Sequence, residues 1–140
     1  MKPPFRHIYL IDDNQDSVFI TKYFLNKIFE SPSILDFLEP EVGMAYIEVH
    51  TSDKKDLLFL DINMPSMSGW QFLDAINESW SEEQLNSLAV CILTSSTRPK
   101  DEKKAELHPL ITHYAEKPAN LEGMQAIVHE IINVAKDSTF

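Results

Sequence analysis

Five short apolar runs recur along the chain, each followed by a longer segment whose apolar residues return at helical spacing. "HIYLID" (His7 to Asp12) reads as a strand, and "SVFITKYFLNKIF" follows with Val18, Ile20, Phe24, Leu25, Ile28 and Phe29 at that spacing, capped by Asp16 or Ser17. "SILDFLE" is the second strand, and "EVGMAYIEVH" a short helix weakened by Gly43 and two valines. "LLFLD" is the third strand. Beyond Pro65 and Gly69, "WQFLDAINESW" places Trp70, Leu73 and Ile76 or Asn77 on one side of a helix. The nearly all-apolar "SLAVCILTSS" is the fourth strand, and "PKDEKKAEL" a charged helix with Pro99 in its first turn. "ITHYAEK" is the fifth strand. "NLEGMQAIVHEIINVAK" closes the chain as a helix carrying Leu121, Met124, Ile127, Val128, Ile131, Ile132 and Ala135.

Strands that alternate with helices pair in parallel, because right-handed crossovers lay the helices over both faces of the sheet. Continuously apolar strands fit burial on both sides. The expected fold is therefore α/β: a flavodoxin-like, doubly wound sheet of five parallel strands in the order 2-1-3-4-5, with helices on both faces. A chain of 140 residues, 44% of them hydrophobic, suits one domain over residues 1–140 with a core from about 5 to 136. Eight Phe, four Tyr and two Trp against three Gly argue against disorder.

Charge excludes several classes of function. Twelve basic and twenty-two acidic residues leave a formal net charge of -10, which repels nucleic acid and anionic lipid. The nearest candidates for a basic patch are Lys54-Lys55 and the Arg98, Lys100, Lys103, Lys104 group, and the second alternates with acids as on a solvated helix face. No run approaches the ~20 apolar residues of a membrane span, and the start lacks a signal-like stretch, so a cytoplasmic location is expected, with neither nucleic acid nor membrane as partner. Cys91, inside "LAVCIL", reads as a small core residue. The five histidines lack the spacing of a zinc site.

In such a sheet, ligands bind beyond the carboxyl ends of the strands where the strand order reverses. Asp12 and Asp13 close the first strand, Asp61 the third, Thr94 the fourth and Lys117 the fifth. Crowded carboxylates repel one another, and a cation resolves the conflict. Magnesium suits the set, since it takes one or two carboxylates, retains waters and accepts a phosphate oxygen. Lys117 adds a second positive charge, and Thr94 a hydroxyl that can donate to an anionic oxygen. The constellation fits phosphoryl transfer with Asp61 as the nucleophile.

"LIDDN", "LLFLDINMPSMSG", "ILTSS" and "YAEKP", in this order and at these strand ends, resemble the receiver domain of two-component response regulators. The resemblance covers essentially the whole chain and is similar to single-domain, stand-alone chemotaxis-type regulators. It implies a phosphoacceptor at Asp61, metal-binding acids at Asp12 and Asp13, and a further Mg2+ ligand from the backbone carbonyl of Asn63. It also implies switch residues at Thr94 and Tyr114, a catalytic lysine at Lys117, and a cis bond before Pro118. The implied activity is a signalling switch with no separate substrate turnover. It accepts a phosphoryl group from a histidine kinase or histidine phosphotransfer domain and alters its surface for an output protein. Onward transfer in a phosphorelay is the alternative. A phosphatase of the haloacid dehalogenase type is the rival from another class, and it requires an acid two residues after the nucleophile, where Asn63 stands.

Four features depart from that family's pattern. The segment around "FLEPEVGMAYIEVHTSDKK" and the stretch "SWSEEQLNS" are extended, "ELHPLITHY" lacks a glycine, and Ala119 follows Lys117-Pro118 in place of a bulkier apolar residue.

Overall fold

The computed structural model describes residues 1–137, with side chains as far as 134. In chain order the elements are β1 (Ile8–Ile11), α1 (Gln15–Ile28), β2 (Ile34–Phe37), α2 (Pro40–His50), β3 (Asp56–Leu60) and α3 (Gly69–Ser79). There follow α4 (Glu82–Asn86), β4 (Leu88–Thr94), α5 (Pro99–Leu107), β5 (Ile111–Glu116) and α6 (Leu121–Asp137). All five strands pair in parallel in the order β2-β1-β3-β4-β5, as the alternation requires. The three central strands are buried along their whole length, and the edge strands β2 and β5 are mostly half-buried.

Alternate strand residues feed two cores. Tyr9, Ile11, Leu58, Leu60, Val90 and Ile92 face the side covered by α2 and α3, with Ile47, Phe72, Leu73 and Ile76. Ile8, Leu10, Leu57, Phe59, Ala89, Cys91 and Leu93 face α1 and α6, with Leu25, Met124, Val128 and Ile131. Side-chain alternation with a period of two makes this split unavoidable in a sheet covered on both faces. Ile76, and not Asn77, completes the buried stripe of α3. Ala135 of the expected α6 stripe lies outside the residues whose side chains are described.

Two local expectations are corrected, and one extension gains a structure. Asn14, and not Asp16 or Ser17, caps α1, accepting the Ser17 amide at 3.0 Å, because it is the last residue with extended backbone before the helix. Ile20 is exposed beside Phe19 and Tyr23, since the buried stripe of α1 runs through Val18, Leu25 and Phe29. The extended stretch before β4 folds into the short helix α4, whose Ser81 and Gln84 form a reciprocal capping box. Gln84 also donates to the Glu48 carbonyl, so this extension is docked onto the end of α2.

Candidate functional site

The carboxyl ends of β1, β3 and β5 bring their charged residues together. Asp12 follows β1 and Asp61 follows β3; both are buried, while Asp13 is exposed at the rim. One carboxylate oxygen from each of the three lies within 4.8 Å of the others. Lys117, just past β5, places its ammonium 2.9 Å from Asp12 Oδ2 and 3.9 Å from Asp61 Oδ2. Three carboxylates against one ammonium leave two negative charges uncompensated, which a divalent cation with oxygen ligands would neutralise. The crevice floor is apolar, formed by Leu10, Val18, Phe59 and Leu93.

Asp61 and Asp12 are each held by backbone. The Asp61 amide donates to the Ile11 carbonyl at 3.0 Å, and Asp61 Oδ1 accepts the Ile62 amide at 2.9 Å, leaving Oδ2 on the side of Lys117. Asp12 Oδ1 accepts the Asn14 amide at 2.9 Å while Oδ2 takes the lysine. Burial raises the Asp61 carboxyl to about pKa 6; Asp12 pushes in the same direction, Lys117 and the Ile62 amide oppose it, and Asp13 adds a smaller upward push.

The loop after Asp61 explains the glycine of "DINMPSMSG". The Gly69 amide donates to the Ile62 carbonyl at 2.8 Å, folding the loop back on itself. A Cβ at Gly69 would stand 2.5 Å from the Asp61 carbonyl oxygen and 3.0 Å from Ile62 Cα, both backbone atoms. Only glycine permits this approach. Ser68 then caps α3 in a capping box with Gln71. Asn63, in the same loop, is exposed.

Thr94 ends β4 fully buried, and its backbone carbonyl accepts the Lys117 amide at 2.8 Å, so the ends of β4 and β5 are joined behind the acids. Its hydroxyl accepts the Ser96 amide at 2.9 Å. Tyr114 is half-buried on β5, and its phenol is raised above its ordinary pKa by that burial, then by Asp101, Glu102 and Glu116. The expected cis bond before Pro118 is corrected: among the described residues every peptide is trans. A trans bond before proline is intrinsically favoured by about 0.5–1 kcal/mol, and with it the lysine already spans Asp12 and Asp61.

Sequence reasoning missed one group beside this site. Asp101 lies in a helix read as solvated, yet it is 3% exposed and bonded to Ser96 and Arg98. The spacing of Asp101 and Ala105, both buried and one turn apart, was the available signal.

Residues 8–129 match the family described as "Response regulator receiver domain". The chain belongs to that family. Among solved structures it is similar to a two component response regulator from Cytophaga hutchinsonii, with a TM-score of 0.76 and 22% identity over 94% of this chain and 99% of that one. It also resembles a response regulator receiver protein from Dyadobacter fermentans (TM-score 0.77, 17% identity, 90% and 97% of the two chains). The chemotaxis protein CheY4 of Vibrio cholerae is a third likeness (0.72, 18% identity, 91% and 98%). Among curated sequences, 94 residues are 28% identical to "Hybrid signal transduction histidine kinase K" of Dictyostelium discoideum, covering 64% of this chain but 8% of that protein. Receiver domains belong to two-component signalling and bind Mg2+ at an acidic pocket; the three aspartates here form such a cluster. Among the described residues no helix is long and apolar enough to cross a membrane.

Proposed function

We propose that this receiver takes a phosphoryl group from a phosphohistidine, on a histidine kinase or a histidine phosphotransfer domain, onto Asp61 and converts it into a change of surface. The observation that carries this reading is the buried Asp61 carboxylate, with Oδ1 tied to its neighbouring amide, Oδ2 3.9 Å from the Lys117 ammonium, and one oxygen within 4.8 Å of two further aspartates. A carboxylate so placed can act as a nucleophile once it is ionised and the charge repulsion around it is relieved. Asp12, Asp13, Asp61 and the backbone carbonyl of Asn63 would hold Mg2+, which when bound supplies the positive charge that lets an anionic phosphoryl group approach. Lys117 pairs with a phosphoryl oxygen. Thr94 donates its hydroxyl to another, and Tyr114 follows it.

The relative whose name includes a histidine kinase supports a phosphohistidine donor. No separate substrate need be turned over, and the location proposed is cytoplasmic. A haloacid dehalogenase type of phosphatase is disfavoured because the residue two past Asp61 is the amide Asn63, exposed and unable to act as a general acid.

The test is chemical. With magnesium and a small acyl phosphate, intact mass spectrometry should show one added phosphoryl group, and Asp61→Asn should show none. Labelling of natively folded Asp61→Asn at another residue, or sustained hydrolysis of a generic phosphate ester by the parent, would overturn the assignment.

A further inference from the structure

We propose that Asp101 is a positioning residue that holds Thr94 in its resting arrangement: acting through Ser96, its buried carboxylate keeps the turn after β4 closed onto the Thr94 hydroxyl. The inference rests on the reading of Asp61 as the phosphoacceptor, because it concerns how readily Thr94 leaves that arrangement to meet a phosphoryl group.

Ser96 is the link. Its hydroxyl donates to Asp101 Oδ2 at 2.7 Å, while its backbone amide donates to Thr94 Oγ1 at 2.9 Å. Two hydrogen bonds therefore run from the first turn of α5 to the buried end of β4. Arg98 covers the same carboxylate oxygen from the solvent side, with Nε at 3.0 Å and Nη2 at 2.9 Å. The Ser96 hydroxyl, then Arg98 and the Trp70 side chain, hold the Asp101 carboxyl below its ordinary pKa against the opposing effect of burial. The carboxylate thus stays ionised and keeps its acceptors engaged at neutral pH.

The helix that carries Asp101 also meets α3. Trp70 directly follows Gly69, whose close approach to the Asp61 carbonyl anchors the phosphoacceptor loop. The Lys104 ammonium lies 5.0 Å over the Trp70 ring, and His108 Nε2 lies 3.3 Å from Asp74 Oδ1. Positions 101 and 104 fall on one face of α5 and His108 caps its end, so Lys104 and His108 tie that end of the helix to α3. One carboxylate therefore bonds the turn beside Thr94, and the side chain that follows the Asp61 loop helps to hold it below its ordinary pKa.

If Thr94 moves toward a phosphoryl group, the Ser96 amide loses its acceptor unless the turn moves too, and Asp101 opposes that movement. An acid in the first turn of a helix is also favoured by the helix dipole. That role alone predicts a loss of stability on substitution and no dependence on Thr94.

The experiment is calorimetric titration with beryllofluoride and magnesium, using the parent, Asp101→Asn, Thr94→Ala and the double variant. Asp101→Asn is expected to bind about three- to tenfold more tightly, because the resting arrangement loses part of its advantage. In the Thr94→Ala background the same change should have no effect. Unchanged or weaker binding by Asp101→Asn overturns the proposal, as does an equal gain without Thr94. Should Asp101→Asn fail to fold, Ser96→Ala, which deletes the hydroxyl and keeps the amide, is expected to act in the same direction. Amide hydrogen exchange at Ser96 separates this proposal from the reading of Asp61: it should quicken in Asp101→Asn even if the parent binds no beryllofluoride, and unaltered exchange overturns the link.

Discussion

The Lys117 ammonium sits 2.9 Å from Asp12 Oδ2 and is therefore a partner of the β1 acid before it is a partner of Asp61, whose Oδ2 is 3.9 Å away. A cation in this position competes with a metal for Asp12, yet on the proposed function it would pair with an incoming phosphoryl group. The two demands have opposite signs.

Lys117→Gln should accordingly strengthen magnesium binding severalfold, because it removes a positive charge from a cluster of three aspartates. The same variant should weaken beryllofluoride binding by about tenfold or more, the loss of one charge-assisted hydrogen bond. Titrating each ligand separately checks both signs. Parallel losses of both affinities would mean that Lys117 only supports the fold.

Asp61 makes stability depend on pH in the metal-free protein. Its carboxyl is raised from 3.8 to about 6 by burial first and Asp12 second. A group whose pKa is raised by folding contributes stability when protonated, so the contribution is complete below about pH 4 and lost as pH rises through about 6. At pH 7.5 in chelator, Asp61→Asn should be more stable than the parent by about 2 kcal/mol. The difference should shrink toward pH 4.5 and when magnesium is added. Urea unfolding at the two pH values, with and without metal, measures it.

Gly69→Ala should damage the fold and the site together. The added methyl meets backbone atoms of Asp61 and Ile62, which cannot rotate away as a side chain would. A loss of about 2 kcal/mol or more is expected, typical of strain at a tight backbone contact. Beryllofluoride affinity should fall as well, since the displaced strand end carries Asp61, the proposed nucleophile. A folded Gly69→Ala with unchanged affinity would show that the loop absorbs the methyl elsewhere.

Thr94→Ala should still accept a phosphoryl group at Asp61, because the proposed nucleophile is untouched. Its response at β5 and α5 should be weak if, as proposed, Tyr114 follows the movement of the hydroxyl. Amide shifts around Tyr114 and across Lys100 to Leu107, with and without beryllofluoride, are the measurement. Full shifts in Thr94→Ala would rule out this coupling.

Much of the molecule was legible in the chain itself. Strand runs such as "LLFLD" and "LAVCIL" are buried on both faces, so they must be apolar throughout, and the only acids tolerated at their carboxyl ends are those that reach the crevice. Asp12, Asp61, Thr94 and Lys117 could therefore be assigned to one place from strand ends alone. Pro65 and Gly69 marked a loop, and their purpose became clear only from the 2.5 Å clearance that glycine preserves at the Asp61 carbonyl. The serine and glutamine of α4 formed a readable capping box at positions 81 and 84, and its five residues were too short to show helical periodicity. Which carboxylate Lys117 prefers, which isomer precedes Pro118, and that Asp101 turns inward while its charged neighbours face water depend on contacts between segments far apart in sequence. Local pattern records the periodicity and end signals that each segment carries by itself. Distances between side chains from different segments exist only after the sheet has closed, and there differences of an ångström decide which charge pairs with which.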